Sequence, residues 1–397
     1  MKTNKKYTLL ILLFTTQTIP IAFFGHAVPA IMRDKGLSLE AIGWFQMALA
    51  PYGFSFLWAP VVDKYGRTYF RWVNISTLLY AVFIFPLIFF GFDNMVPLTI
   101  LVALAVISMT TQDLAVDAFA IRSLSDGEKS IGNGMQSGGA YFGFLIGGGV
   151  LLMVYNAIGW SACILILCVL IVLPLYYTLK YSKHSTKDNS ASSISLKDIF
   201  SYFKVKEFLR WIVMLLVIKT PLEIVFQFLR PLLIDKGYRL EQVGFMFGII
   251  TMSFAMAGGF LAGLFLKKKS ERIKLITAIT GSVIAIGFAL LMAEYKALPY
   301  SAYLLFCSII GFACGWKAMV VFHIAMNKVR AGKEATDYSF QSFLGSVLFM
   351  PMLPISGMLA DRYGYTLLFS LMVFFSLIIF VMVILLSKAR LTQPAHD

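Results

Sequence analysis

The chain has 397 residues, of which 59% are hydrophobic and only 14% charged, and it carries a formal net charge of +14. Soluble domains hold about a quarter charged residues and roughly half apolar ones. A soluble enzyme, a disordered chain and a disulfide-rich secreted domain are therefore excluded. The apolar residues form runs of about twenty, the length a helix needs to cross about 30 Å of hydrocarbon. The four cysteines, Cys163, Cys168, Cys307 and Cys314, lie inside such runs and show no zinc or redox spacing, so they read as small packing residues.

Twelve spans are predicted in chain order: 7–31, 40–62, 72–92, 96–120, 131–154, 158–179, 208–232, 241–266, 273–293, 299–326, 336–359 and 365–387. Basic residues at Met1–Lys6 precede a run too long for a signal-peptide core and lacking an A-x-A cleavage site, so this run reads as the first span. The runs are continuously apolar rather than alternating, which predicts a helical bundle and not a barrel. The expected fold is an all-α membrane protein of two six-helix halves, 1–180 and 208–397, joined by a cytoplasmic central loop, 181–207.

Orientation follows from the basic residues. With the N-terminus in the cytoplasm, the inner segments hold 25 of the 34 Lys and Arg, the outer loops six and the spans three. That bias predicts both termini inside. It assigns the excess charge to the anionic inner leaflet rather than to nucleic acid.

The halves repeat. Asp34-Lys35-Gly36-x-x-Leu39-Glu40-x-x-Gly43 returns 201 residues later as Asp235-Lys236-Gly237-x-x-Leu240-Glu241-x-x-Gly244, and Pro20 likewise as Pro221. Gln136-Ser137 returns 205 residues later as Gln341-Ser342. An even number of spans per half makes this a parallel repeat about the membrane normal.

The loop after span 2 reads Asp63-Lys64-Tyr65-Gly66-Arg67. It resembles the D-[RK]-x-G-R signature of the major facilitator superfamily, and the twelve-span plan extends the resemblance over the chain. Thr111-Gln112-Asp113-Leu114-Ala115-Val116-Asp117-Ala118 in span 4 is similar to the Q-D-x-x-x-D-A segment of one branch. That branch holds muropeptide permeases, acetyl-coenzyme A transporters and bacterial inner-membrane siderophore importers. The glycine-rich course of span 5, with no two further C-terminal spans, favours the siderophore side. The resemblance implies an inner-membrane carrier, a monomer, working by alternating access without a cofactor. It also implies that Asp63, Lys64, Gly66 and Arg67 help hold the inner side closed. The matching loop of the second half, Lys267-Lys268-Lys269-Ser270-Glu271-Arg272, lacks the acid and the glycine. Asp361-Arg362-Tyr363-Gly364 lies on the outer side and reads as a turn ending span 11.

Six residues of fixed charge fall within spans: Asp113, Asp117, Lys219, Glu223, Arg230 and Lys317. Each is costly in hydrocarbon and should face a cavity or a partner. Asp113 and Asp117 share one helix face; two close carboxylates cannot easily both ionise, which suits a proton-coupled carrier. Asp113 reads as the coupling acid. Asp117 reads as an inner-gate residue near Arg122. Lys219 and Glu223 flank Pro221; they form either an ion pair or a cavity site in which Lys219 draws an anion and Glu223 takes a proton. Arg230 guards the outer mouth or snorkels. Lys317 beside Trp316 suits a flat anionic ligand, or else pairs with Asp113 or Glu223. Gln17, Gln46, Gln136, Gln227 and Gln341 are hydrogen-bonders of the cavity or between helices, and Gln227 joins the substrate set. His26 and His323 read as packing residues. Small-residue stripes on span 5 (Gly134 to Gly147) and on span 8 (Gly259, Gly263) read as close helix contacts. Span 5 lacks the G-x-x-x-G-P of antiporters, favouring symport or uniport.

No G-x-x-x-x-G-K-[ST] loop, G-x-S-x-G elbow or H-E-x-x-H helix occurs. The expected function is proton-coupled import of a ferric siderophore, with a muropeptide or acyl-coenzyme A as alternative cargo. A non-transporting receptor or sensor is the rival from another class.

Overall fold

The computed structural model describes residues 3–59, 61–62, 69–92, 94–123, 129–182, 201–205, 208–266, 268–330 and 334–388. The signature loop residues Asp63, Lys64, Gly66 and Arg67 lie outside these, as does the side chain of Arg122.

Among the described residues nine helical stretches are long and apolar enough to cross a membrane: Tyr7–Asp34, Tyr69–Ile88, Met95–Asp117, Gly138–Lys180, Leu209–Asp235, Leu240–Leu266, Glu271–Glu294, Tyr300–Asn327 and Asp337–Leu385. Two of them are double spans. Gly138–Lys180 has 43 residues and Asp337–Leu385 has 49; unbroken, they would run about 65 and 74 Å at 1.5 Å per residue, twice the hydrocarbon thickness. Each is turned back by one glycine, Gly159 (φ 77°, ψ 177°) and Gly364 (φ 82°, ψ 166°), in a region a side chain resists. The remaining span, predicted at 40–62, is a broken helix: Leu39–Gln46, a 3₁₀ turn Met47–Leu49, Ala50–Gly53 and a second turn Ser55–Leu57. Pro51 has no N–H to donate and Gly53 is a poor helix former, so the run cannot continue. With it the twelve-helix fold is complete. The large outward side chains are apolar, among them Phe260, Leu264, Phe265, Phe374 and Val381, as a surface bathed in lipid requires.

The helices group into two compact units. Unit 1 comprises Met1–Lys35, Phe45–Asp198 and Arg239–Gly248; unit 2 comprises Gly36–Trp44, Ile199–Tyr238 and Ile249–Asp397. Each thus takes in a short segment from the other sequence half.

In unit 1, spans 1, 3 and 4 share a core of Leu9, Leu13, Phe14, Phe70, Val73 and Val116. Span 5 lies against span 1 through Gly139, Gly143 and Gly147; a Cβ on Gly147 would run into the Ile19 carbonyl oxygen. In unit 2, Gly258, Gly311 and Gly315 play that part between spans 8 and 10, where a Cβ on Gly315 would strike the carbonyl of Ala255. On span 8, Gly258 faces the seam, and Gly263 of the expected stripe approaches the Met319 methyl of span 10 at 3.4 Å.

The exchanged segments are docked by repeat-related contacts. In unit 2 the Asp361 carboxylate accepts the backbone N–H groups of Leu39 (2.9 Å) and Glu40 (2.7 Å), capping the helix that starts there. In unit 1 the amide of Asn156 donates to Glu241 (3.2 Å). Positions 40 and 241, and 361 and 156, correspond under the repeat. Outside the membrane, Lys236 donates to the carbonyls of Ala293 (3.2 Å) and Tyr295 (2.7 Å). Burial holds this ammonium below its ordinary pKa, against the pull of Glu294.

Candidate functional site

Unit 1 carries the acids. Span 4, Met95–Ser123, carries Thr111, Asp113 and Asp117, with the two acids one turn apart. The Gln17 amide from span 1 donates to the Asp113 carboxylate at 2.5 Å. Gln136 of span 5 donates to Asp117 at 3.1 Å, and Trp58 donates its indole N–H to Thr111 at 3.1 Å. Three neighbouring spans therefore each supply a donor to span 4. These carboxylates are held by neutral groups, the arrangement in which gaining or losing a proton changes local charge most.

Unit 2 carries the cations. Span 7 is two helices, Leu209–Ile218 and Thr220–Asp235, meeting at Lys219. Pro221 sits in the first turn of the second, where its missing N–H costs no helical bond. The sequence leaves two partners open for Glu223, and the structure pairs it with Lys317 at 3.0 Å. The Lys317 side chain is 3% exposed and the Glu223 side chain 37%; one member is enclosed and the other reaches open space. Lys317 also donates to the Lys219 carbonyl at 3.4 Å. A self-neutralising Lys219–Glu223 pair does not form. Lys219 terminates one helix piece, and its stem runs instead beside Gly345 of span 11. Among the described residues no carboxylate lies within 4.0 Å of its ammonium.

The other expected substrate residues have different surroundings. Arg230 is 1% exposed, with its guanidinium 4.8 Å from the Phe226 ring, so it is enclosed rather than snorkelling. Trp316 donates its indole N–H to Thr277 (3.2 Å) and packs on Phe312, so its polar edge is already engaged. Gln227 is half-buried on the Glu223 helix. Gln341 bridges helices, accepting from Trp211 (2.5 Å) and donating to the carbonyls of Ala325 (3.1 Å) and Lys328 (3.2 Å).

Sequence reasoning missed the cluster at the far end of spans 10 and 11. Asp337, fully enclosed, accepts from Arg330 three times: backbone N–H at 2.8 Å, Nε at 2.9 Å and Nη2 at 2.6 Å. Tyr202, from the central loop, donates to the Lys328 carbonyl (2.9 Å), and the guanidinium lies 5.6 Å from its ring. Burial, with Asp337 nearby, pushes the Tyr202 hydroxyl well above its usual pKa. Lys328 pairs with Glu271 at 3.2 Å. In sequence, the only signal is an arginine seven residues before an acid at a span start.

A family model described as Major Facilitator Superfamily matches residues 9–350. The chain belongs to the Major Facilitator Superfamily. It is a multi-pass membrane transporter of that superfamily, and the signature-bearing resemblance read from the sequence is confirmed at this level. Among its relatives, the anhydromuropeptide permease of Escherichia coli K12 is 22% identical over 376 residues, covering 90% of this chain and 75% of the permease. A protein named putative transporter AmpG 1, from Rickettsia bellii, is 24% identical over 375 residues, covering 87% and 89%. An uncharacterised Haemophilus influenzae protein is 25% identical over 264 residues, and the match spans 62% of this chain and only 60% of that protein. Two solved members of the superfamily's fold align closely. They are a bacterial homologue of the human lysosomal transporter Spinster (TM-score 0.75, 14% identity, all of both chains) and the nucleoside transporter NupG (TM-score 0.74, 12% identity, 95% and 98%). Of these relatives, the Escherichia coli protein is named for anhydromuropeptide, and none carries the siderophore name that the sequence favoured.

Proposed function

We propose that the protein is a proton-coupled importer of an anionic muropeptide in a bacterial inner membrane, with both termini cytoplasmic. The observation that carries this reading is the intramembrane set Lys219, Glu223 and Lys317, which holds one more cation than acid. Such an excess is costly in hydrocarbon and calls for an anionic ligand. A muropeptide, with its peptide carboxylates, supplies that charge, and the permease relatives point to the same cargo.

Glu223 and Asp113 are the proton-carrying acids. When Glu223 takes a proton, enclosed Lys317 loses its counter-charge and a substrate carboxylate replaces it, so proton and anion enter together. Gln227, Arg230 and Trp316 line the same path. Asp63, Lys64, Gly66 and Arg67, with Asp117 and Arg122, close the inner mouth. Without a phosphate-binding loop in the sequence, the ion gradient is the energy source.

The test is uptake of a labelled anhydromuropeptide into energised membrane vesicles. Accumulation should collapse with a protonophore and be lost in Glu223→Gln and Asp113→Asn, both present in the membrane at normal levels. Accumulation unmoved by the protonophore, or full in both variants, overturns the coupling. Uptake of a ferric siderophore with none of the muropeptide overturns the cargo.

A further inference from the structure

Most buried glycines of unit 2 that sit at close contacts face a backbone. A Cβ added to Gly258, Gly311, Gly315 or Gly357 would meet a neighbouring carbonyl group. Those positions hold helices together, and no side chain can give way there. Gly345 is different. The three atoms nearest to a Cβ built on it are all in one side chain: Lys219 Cδ at 3.0 Å, Cε at 3.2 Å and Nζ at 3.2 Å. Ordinary contacts between such atoms stand at about 3.5–4.0 Å. A methyl at 345 would leave span 11 in place and push the end of Lys219 away.

Under the repeat, Lys219 corresponds to Thr18 and Gly345 to Ala140. In unit 1 the span 5 residue that faces Thr18 is Gly143, where a Cβ would stand 2.5 Å from the Thr18 Cβ. The Lys219 stem thus lies in a groove that Gly345 provides, and its ammonium has no carboxylate within 4.0 Å among the described residues.

The geometry points to Gly345 as the positioning residue of an anion seat at Lys219. Lys219 takes the first carboxylate of the substrate, and the missing side chain at 345 fixes where that carboxylate docks. Lys317 serves a second carboxylate only after Glu223 is protonated. The inference rests on the proposed import of an anionic solute.

Because Gly345 acts through Lys219, its effect must vanish when the lysine is gone. Uptake kinetics of labelled anhydromuropeptide are measured for wild type, Gly345→Ala, Lys219→Ala and the double variant. Gly345→Ala is expected to raise KM about threefold with Vmax within about twofold, since the end of Lys219 must give by a few tenths of an ångström and a misplacement of about 1 Å can cost about 100-fold. Lys219→Ala raises KM as well, and adding Gly345→Ala to it changes nothing further. An unchanged KM in Gly345→Ala, or the same fold-rise in both backgrounds, overturns the proposal. A crystal structure of Gly345→Ala separates this from the cargo question, because it needs no transport. The Lys219 ammonium should be displaced with spans 7 and 11 unmoved; an ammonium still in place refutes the inference even if muropeptide uptake is confirmed.

Discussion

The Lys317–Glu223 pair predicts an asymmetry between two single substitutions. Lys317 is 3% exposed and donates to Glu223 at 3.0 Å and to the Lys219 carbonyl at 3.4 Å. At that separation the gross attraction is about 5 kcal/mol for an effective dielectric of about 20. Glu223, 37% exposed, keeps part of its hydration, so the net value is well below this. Glu223→Gln leaves an enclosed ammonium with a neutral amide as its partner. The cost is about 3–5 kcal/mol, the range for an enclosed charge that loses its counterpart. Lys317→Met leaves the more exposed of the two charges and puts an apolar chain of similar length in the enclosed place. Its cost is lower, toward the ~1 kcal/mol of an exposed pair.

Apparent melting of the purified protein in detergent micelles tests the order. Glu223→Gln should melt below Lys317→Met. The variant carrying both changes should recover toward wild type, because removing a whole buried pair is nearly neutral. A Lys317→Met protein that melts lower than Glu223→Gln, or a double variant that loses the sum of both, refutes the reasoning. Either result would mean that the carboxylate, not the ammonium, is the enclosed partner.

Two further predictions concern structure away from that pair. Asp337→Asn removes the charge to which Arg330 donates three times, so a loss of about 3–5 kcal/mol is expected for breaking an enclosed pair. Hydrogen exchange should then rise at Tyr202 and its neighbours; unchanged protection there refutes the link. Gly159→Ala and Gly364→Ala meet nothing within 4 Å, so each should cost only the backbone penalty of about 1–2 kcal/mol. Their sum in the double variant, measured by melting, should equal the two singles; loss of expression in either single variant would show a packing role instead.

The spans were legible because a run of about twenty apolar residues is itself the physical requirement for crossing the bilayer. Charge bias and repeat motifs are equally local, and the fold followed from them. The site was legible only in its cast. Lys219 and Glu223 stand four residues apart, which on a continuous helix suggests a pair, yet Glu223 closes on Lys317, 94 residues away. Gly345 is invisible in sequence because its meaning lies in a side chain 126 positions earlier. The siderophore preference finds no support among the named relatives, and the Asp113–Asp117 segment, which resembles that of a whole branch, carries no information on cargo.

The repeat divides what is shared from what is not. Among the described residues the four with positive φ fall into repeat-related pairs: Gly36 (80°) with Gly237 (85°), and Gly159 (77°) with Gly364 (82°). The dockings at Glu40–Asp361 and Glu241–Asn156 are related in the same way. Backbone turns and helix ends obey sterics and hydrogen bonding in both halves alike, so both halves keep them. Inside the membrane the correspondence ends: Lys219 answers to Thr18, Glu223 to Ala22 and Lys317 to Gln112. A carrier needs two similar scaffolds to open in turn, but it needs its fixed charges only where the ligand's charge lies. The chain's intramembrane cations all fall in the second half and the Asp113–Asp117 pair in the first. On the proposed reading, the anion is held by the half that has diverged toward lysine, and the first half contributes acids whose partners are neutral.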